Sequence, residues 1–420
     1  MILNILKITS LILLVGNVEI NSIEKTTTPF QNIAKPYKIN DTLKTNLTVY
    51  NYSKISKVKE KIHTPQFSGL YKALIKSANK AQREGVFSVV QKTQTPPSGN
   101  KHDYLSIGPY WWPDPSKPDG LPWIRRDGEI NPLTRKNTTD EAVKSDMFKN
   151  TFNLALAYFF SDKQKYAKKC LELLKVWFLN EETKMNPNLN FAQGIPGLNT
   201  GRGIGIIEFA GLTNIITAIE ILELNGAMDI NTSTALRDWF SAYLYWLQTS
   251  ENGLFEKNTK NNHAVYYDVQ VVSILMFLNR IDEAKLVLEE VKDKRITTQI
   301  EKDGKQPHEL ARTKALSYST MNLKGFTQLA YFGEKLNVDL WNYQAHNGAS
   351  IQMAFQFLKP YVLEDKKWDY QQIGDFEKAK TSLNNLFTFA GSIFEIPEFC
   401  KLSNAKNTST TSLLYPCEYQ

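Results

Sequence analysis

The stretch MFKNTFNLALAYFF (residues 147–160), followed by KQKYAKKCLELLKVWFL (163–179), decides the fold. The first run is apolar on nearly every side. In the second, Tyr166, Cys170, Leu173, Leu174 and Trp177 recur at helical spacing and leave a lysine-rich face for water. A helix of the first kind must be enclosed by neighbours, and one of the second kind encloses it from outside. The same alternation recurs at 206–224 with 234–247, at 264–278 with 281–294, and again from 316 onward. Strand signals are few. The pattern predicts an all-α fold, a double-layered helical toroid with inner helices around the ring and outer helices facing solvent.

Working outward, residues 66–400 are expected to form this domain. Residues 23–65, rich in Asn, Thr, Ser and Lys, read as a leader or linker, and 401–420 as a C-terminal tail without assignment. At the start, Lys7 precedes an apolar run at 8–15 and polar sequence follows from Asn17. This reads as a signal peptide over 1–22, with a secreted or periplasmic destination. No later segment is read as a membrane span, because the long helices carry regular charges.

Hydrophobic residues make up 42% and charged residues 22%, the balance of a folded chain. The formal charge of +7 is spread among mixed signs, which gives no basic tract to track nucleic acid. A monomer is expected. Three cysteines make no disulfide framework, but Cys400 and Cys417 can pair around a short tail loop, with Cys170 left in a helical core. The five histidines, at 63, 102, 263, 308 and 346, have no metal-ligand spacing, so neither metal nor cofactor is implied.

A long proline-dense run, 95–131, interrupts the helices and holds Tyr104, Tyr110, Trp111, Trp112 and Trp123. Loops this long in a compact domain are functional or disordered, and disordered segments seldom carry so many aromatics. Tyr and Trp rings stack on pyranose faces, and Lys101, Arg125 and Arg126 suit carboxylates. The plain alternative for Trp111 and Trp112 is a hydrophobic plug that fastens the loop.

The chemistry concentrates in Asn262 and His263, and about fifty residues later in Arg312 and Tyr318. An amide and a guanidinium can hold a carboxylate while an imidazole and a phenol move protons, the requirement for removing a hydrogen beside a charged acid. A free phenol titrates near 10, so Tyr318 needs a neighbouring cation to act as a base, and Arg312 is the candidate. A continuous helix would set Arg312 and Tyr318 about 240° apart, so a helix must begin between them. The bland reading of Asn262 is a helix cap, and of His263 a satisfied surface residue.

These stretches carry a family resemblance. NNHAVYYDVQ (261–270), DGKQPHELARTKALSYS (303–319), KHDYLSIGPYWWPDPSKPDGLPWIRRDGEINP (101–132) and NLNFAQGIPGLNTGRGIG (188–205) resemble the alginate lyase family of polysaccharide lyases. The resemblance implies an (α/α) toroid that cleaves an acidic uronate polysaccharide, mannuronate-rich alginate first, by β-elimination. It places Asn262, His263 and Arg312 at the substrate carboxylate and Tyr318 as proton carrier, with His263 the competing base. Substrate contacts are expected from Lys101, Tyr104, Tyr110, Trp111, Trp112, Arg125, Arg126, Gln193 and Arg202, with Tyr266 secondary.

Gly201, Gly203 and Gly205 precede a helix, but with no strand before them and no Lys-Ser/Thr pair after, they read as glycines for close packing. Two other readings stay open. A glycoside hydrolase on a similar toroid would need paired acids, for which Asp103, Asp268 and Glu208 are candidates. A non-catalytic polysaccharide-binding protein would keep only the aromatic groove.

Overall fold

Residues 46–402 and 411–417 are described by a computed structural model, and the expected signal peptide at 1–22 lies outside them. The first half of the chain gives α1 (Tyr52–Glu60), α2 (Pro65–Arg83), α3 (Glu141–Ser161), α4 (Gln164–Phe178), α5 (Leu212–Leu224), α6 (Ile230–Thr249) and α7 (Glu251–Lys257). The second gives α8 (Asn262–Phe277), α9 (Ile281–Val291), α10 (Thr297–Gln299), α11 (Pro307–Leu310), α12 (Ala315–Leu336), α13 (Ile351–Val362), α14 (Phe376–Ile393), α15 (Pro397–Leu402) and α16 (Thr411–Leu414).

Helices α3, α5, α8, α12 and α14 neighbour one another in that order and form the inner layer, and α4, α9 and α13 pack behind their partners. The two layers differ as the sequence pattern demands. Every residue of α8 except His263 is buried, whereas α9 buries only Ala284, Leu288 and Val291. The fold is an (α/α) toroid.

Residues near both ends of the described chain close the ring. Tyr50 stacks on Phe152 of α3 at 6.1 Å and meets Tyr415 at 5.3 Å, and Tyr415 in turn meets Phe389 of α14 at 4.4 Å. Two expectations need correction here. The linker assigned to 23–65 is part of the fold from about residue 47, where Leu47, Val49 and Tyr50 are buried and α1 follows. Its sparse apolar residues gave no periodicity because they enter the core singly. Similarly, the tail assigned to 401–420 returns to the core through Leu413 and Leu414, and Cys400 is disulfide-bonded to Cys417 while Cys170 stays a free buried thiol.

A third correction concerns the apolar helices. The stretch Gly203–Leu224 is long and apolar enough to cross a membrane by length and composition, so regular charges do not mark every long helix. Its most apolar 18-residue window is 67% buried, as befits an inner helix.

The proline-dense run is ordered by two small sheets. Strand β1 (Leu105–Ile107) pairs in parallel with β4 (Phe191–Gly194), and β2 (Trp111–Trp112) pairs antiparallel with β3 (Ile124–Arg125). A fully buried ion pair, Lys92 to Asp140 at 2.9 Å, anchors its base.

Candidate active site

The break between α11 and α12 falls between Arg312 and Tyr318, as the angular argument requires. Arg312 Nη2 donates to Tyr318 Oη at 3.0 Å, and its guanidinium lies 4.0 Å from the centre of the phenol ring. Tyr318 Oη in turn donates to Tyr110 Oη at 2.7 Å, which ties the aromatic run to α12. Burial, reinforced by Tyr110, pushes the Tyr318 phenol above its ordinary value, and Arg312 opposes this without overcoming it. The Arg312 guanidinium stands beside the phenol as expected, but burial and Tyr110 outweigh its lowering effect.

One reason lies in a residue the sequence reading passed over. Asp127 accepts from Arg312 Nη2 at 2.8 Å and Nε at 3.1 Å, and also from Arg125 Nη2 at 2.6 Å and Thr313 Oγ1 at 3.0 Å. Partial burial disfavours its charge, but these bonds and the Arg312 charge hold its carboxyl well below the usual range. The Arg312 cation is thus already balanced. The only sequence signal was an acid set among bases in RRDG.

At the other side, Asn261 takes the capping role, its side chain accepting from the His263 backbone N–H at 3.3 Å. Asn262 is free of that task. Its Nδ2 donates to Glu309 Oε2 at 2.8 Å and its backbone N–H to Glu309 Oε1 at 2.7 Å. Glu309 is buried, which raises its carboxyl above the usual value, and it feels the charges of both Arg312 and His263. It therefore sits between the two halves of the constellation. Glu256, its side chain fully buried, lies 2.7 Å from His263 Nδ1. Neither glutamate was legible: each meets its partner only through the fold or through a turn between short helices.

The expected substrate contacts divide. Tyr110 reaches the Tyr318 phenol. Trp111 and Trp112 are half-buried, Trp111 under the Arg202 guanidinium at 5.8 Å and Trp112 under that of Arg126 at 5.0 Å. Arg125 and Arg126 are exposed on the same hairpin. Arg202 donates to the Gln193 carbonyl at 2.9 Å and to its Oε1 at 3.1 Å, so these two positions form one unit beside Trp111.

Three expectations fail. Tyr104 is fully buried and gives its hydroxyl to Glu208 at 2.7 Å, because it precedes β1 on the core-facing side. Lys101 donates to the carbonyls of Lys92, Thr93 and Gln94, at 2.7, 3.1 and 3.1 Å, and is a loop clip rather than a carboxylate contact. Tyr266 is buried, with its hydroxyl on the Met321 carbonyl at 3.1 Å, and it borders the central cavity of the ring.

The close-packing reading of the glycines holds: a Cβ on Gly201 would lie 2.0 Å from the Asn190 carbonyl oxygen, and one on Gly205 2.4 Å from Ala192. The acids that a hydrolase would need are spent elsewhere. Asp103 takes Ser98 and Asn186, Asp268 pairs with Arg295, and Glu208 holds Tyr104 and Ser106. Among the described residues, no group of three or more His, Cys, Asp or Glu is arranged to hold a metal.

Comparison with known proteins identifies the family. The family model described as Alginate lyase matches residues 88–368. A solved alginate lyase from Bacteroides ovatus is similar at 38% identity with a TM-score of 0.85, covering 89% of this chain and 100% of that one. Alginate lyase A1-III complexed with tetrasaccharide shares the fold at 15% identity with a TM-score of 0.56, covering 93% of this chain and 99% of that one. No match is found among curated proteins. The protein is a polysaccharide lyase, and the chain belongs to the alginate lyase family.

Proposed function

We propose that this lyase acts outside the cytoplasm on mannuronate-rich alginate and cleaves it by β-elimination, leaving an unsaturated uronate end. The observation that carries the reading is the contact of Arg312 with Tyr318 beside an Asn262 held by Glu309. Removing the hydrogen at C5 of a uronate would build a dianion unless the neighbouring carboxylate is neutralised. Asn262 and Arg312 supply the donors, and a bound carboxylate shares the guanidinium with Asp127.

In mannuronate the C5 hydrogen and the O4 oxygen lie on one face of the ring. Tyr318 can then serve both ends of the reaction: the C5–H and C4–O bonds break, a C4–C5 double bond forms, and the departing O4 takes a proton. Tyr318 must first give up its own proton, passed through its hydrogen bond to Tyr110 and on to solvent, and the Arg312 charge stabilises the phenolate left behind.

The Glu256–His263 contact favours a second reading. A buried carboxylate on Nδ1 fixes that nitrogen as a donor and leaves Nε2 as the base, with Tyr318 as the acid. This suits guluronate, whose C5 hydrogen and O4 lie on opposite faces. The Cys400–Cys417 bridge supports export, since such bonds persist in oxidising compartments.

The test follows ultraviolet absorbance of the new double bond with alginate, polymannuronate and polyguluronate. Faster rise with polymannuronate is expected. Preference for polyguluronate selects the second reading, and no rise with any polyuronate overturns both.

A further inference from the structure

Behind the catalytic groups lies a cavity of about 530 Å³ in the centre of the ring, within the usual size of small-molecule sites. One stripe of α12 forms a wall, with Ser317, Thr320, Lys324 and Gln328 at helical spacing. Ser317 precedes Tyr318, and Tyr266, also on the lining, lies one turn beyond His263. The cavity therefore adjoins the reacting groups without containing them.

Its charge is one-sided. Among the described lining residues Lys324 is the sole ionisable group other than tyrosines, and no acid accompanies it. Lys324 keeps much of its surface exposed, yet it stands in the middle of an inner helix, so that exposure is to the cavity. Enclosure alone moves its ammonium below the usual value, with no carboxylate acting against it. A cation on a cavity wall with no acid opposite it is a ready contact for an anion.

The remaining surface describes that anion. Asn214 and Asn385 present amides, which bond hydroxyl groups well. Tyr50, Phe152, Phe389 and Tyr415, packed on one another, close one end of the cavity with apolar edges. One cation matches a single carboxylate, whereas a phosphate dianion calls for more donors of positive charge.

We infer that the central cavity is a second binding site, for one uronate unit, with Lys324 holding its carboxylate and the neighbouring amides its hydroxyls. The choice of a uronate among hydroxylated carboxylates rests on the reading of the neighbouring site as one that cleaves alginate. Released sugar acids are the natural source of such a ligand.

The test is calorimetric titration of the full-length protein with sodium glucuronate, glucose and inorganic phosphate, alongside the alginate assay. Arg312→Leu removes uronate binding at the catalytic groups and isolates the cavity. In that background, glucuronate is expected to bind at least tenfold more tightly than glucose, and Lys324→Met to remove the difference. Lys324→Gln, which keeps the length and polarity of the side chain, is expected to lose it too. Unchanged glucuronate binding in both lysine variants, or glucose or phosphate binding as tightly as glucuronate, overturns the proposal. Alginate cleavage by the wild type is read separately. A cleaving enzyme with an indifferent cavity defeats only this inference, and a failure to cleave defeats the lyase reading.

Discussion

Glu256 lies beneath His263, with its Oε1 2.7 Å from Nδ1 and its side chain fully enclosed. Its other oxygen has no hydrogen-bond partner in the structure. A buried carboxylate so placed orients the ring and stabilises the imidazolium formed when Nε2 takes a proton. Glu256→Gln keeps the shape and removes the charge. Turnover of polyguluronate is expected to fall about 10²-fold, with less effect on polymannuronate. Equal losses on both polymers would show that His263 does not divide the substrates in this way.

Among the described residues the Tyr318 hydroxyl bonds Arg312 and Tyr110. Tyr318→Phe is expected to lower kcat on alginate by roughly 10²–10⁴-fold, the usual range for a positioned proton carrier. The circular dichroism spectrum and melting temperature should stay close to wild type. Retention of more than a tenth of the rate would remove Tyr318 from the chemistry.

Asp127 links the hairpin to Arg312 and titrates below the ordinary carboxylate range. A group whose folded value is depressed adds stability above its unfolded value, near 4, and loses it as pH falls through the lower folded value. Asp127→Asn should therefore cost about 1 kcal/mol at neutral pH. Urea unfolding at a series of pH values is expected to show this difference steady down to about pH 5 and fading below about pH 4. A difference undiminished between pH 5 and pH 2 would assign it to packing instead of charge.

Glu220 has the opposite sign. It accepts from the Thr48 backbone N–H at 2.9 Å and hydroxyl at 2.5 Å, and burial raises its carboxyl to about 7. The folded state then holds a proton that the unfolded state releases near 4.5, so stability falls as pH rises between those values. Glu220→Gln should flatten that decline, on the order of 2–3 kcal/mol at full effect. Parallel pH–stability curves for variant and wild type would contradict it.

Much of the fold was legible because inner and outer helices face different surroundings. Helix α8 has no polar stripe and is buried all round except at His263, and α9 keeps charges on its wet face. The break between Arg312 and Tyr318 was likewise readable, because six residues of continuous helix cannot aim both at one place. What escaped was whatever depends on long-range placement. Glu309 meets Asn262 across 47 residues, Asp127 meets Arg312 across 185, and an isolated acid in sequence looks like any solvated charge. Tyr104 misled for a related reason, since Asp103, Tyr104, Leu105 and Ser106 are all buried together by contacts distant in sequence.

The meeting of Tyr50 with Tyr415 gives the ring a seam. Residues near the two ends of the described chain meet there through side-chain contacts between α3 and α14, and the Cys400–Cys417 bridge ties down the C-terminal side alone. A re-cut gene, with a short tether joining the neighbourhoods of residues 47 and 417 and new ends opened in an outer loop, would keep every helix pair in place. Such a permutant would turn a clasped bracelet into a continuous hoop.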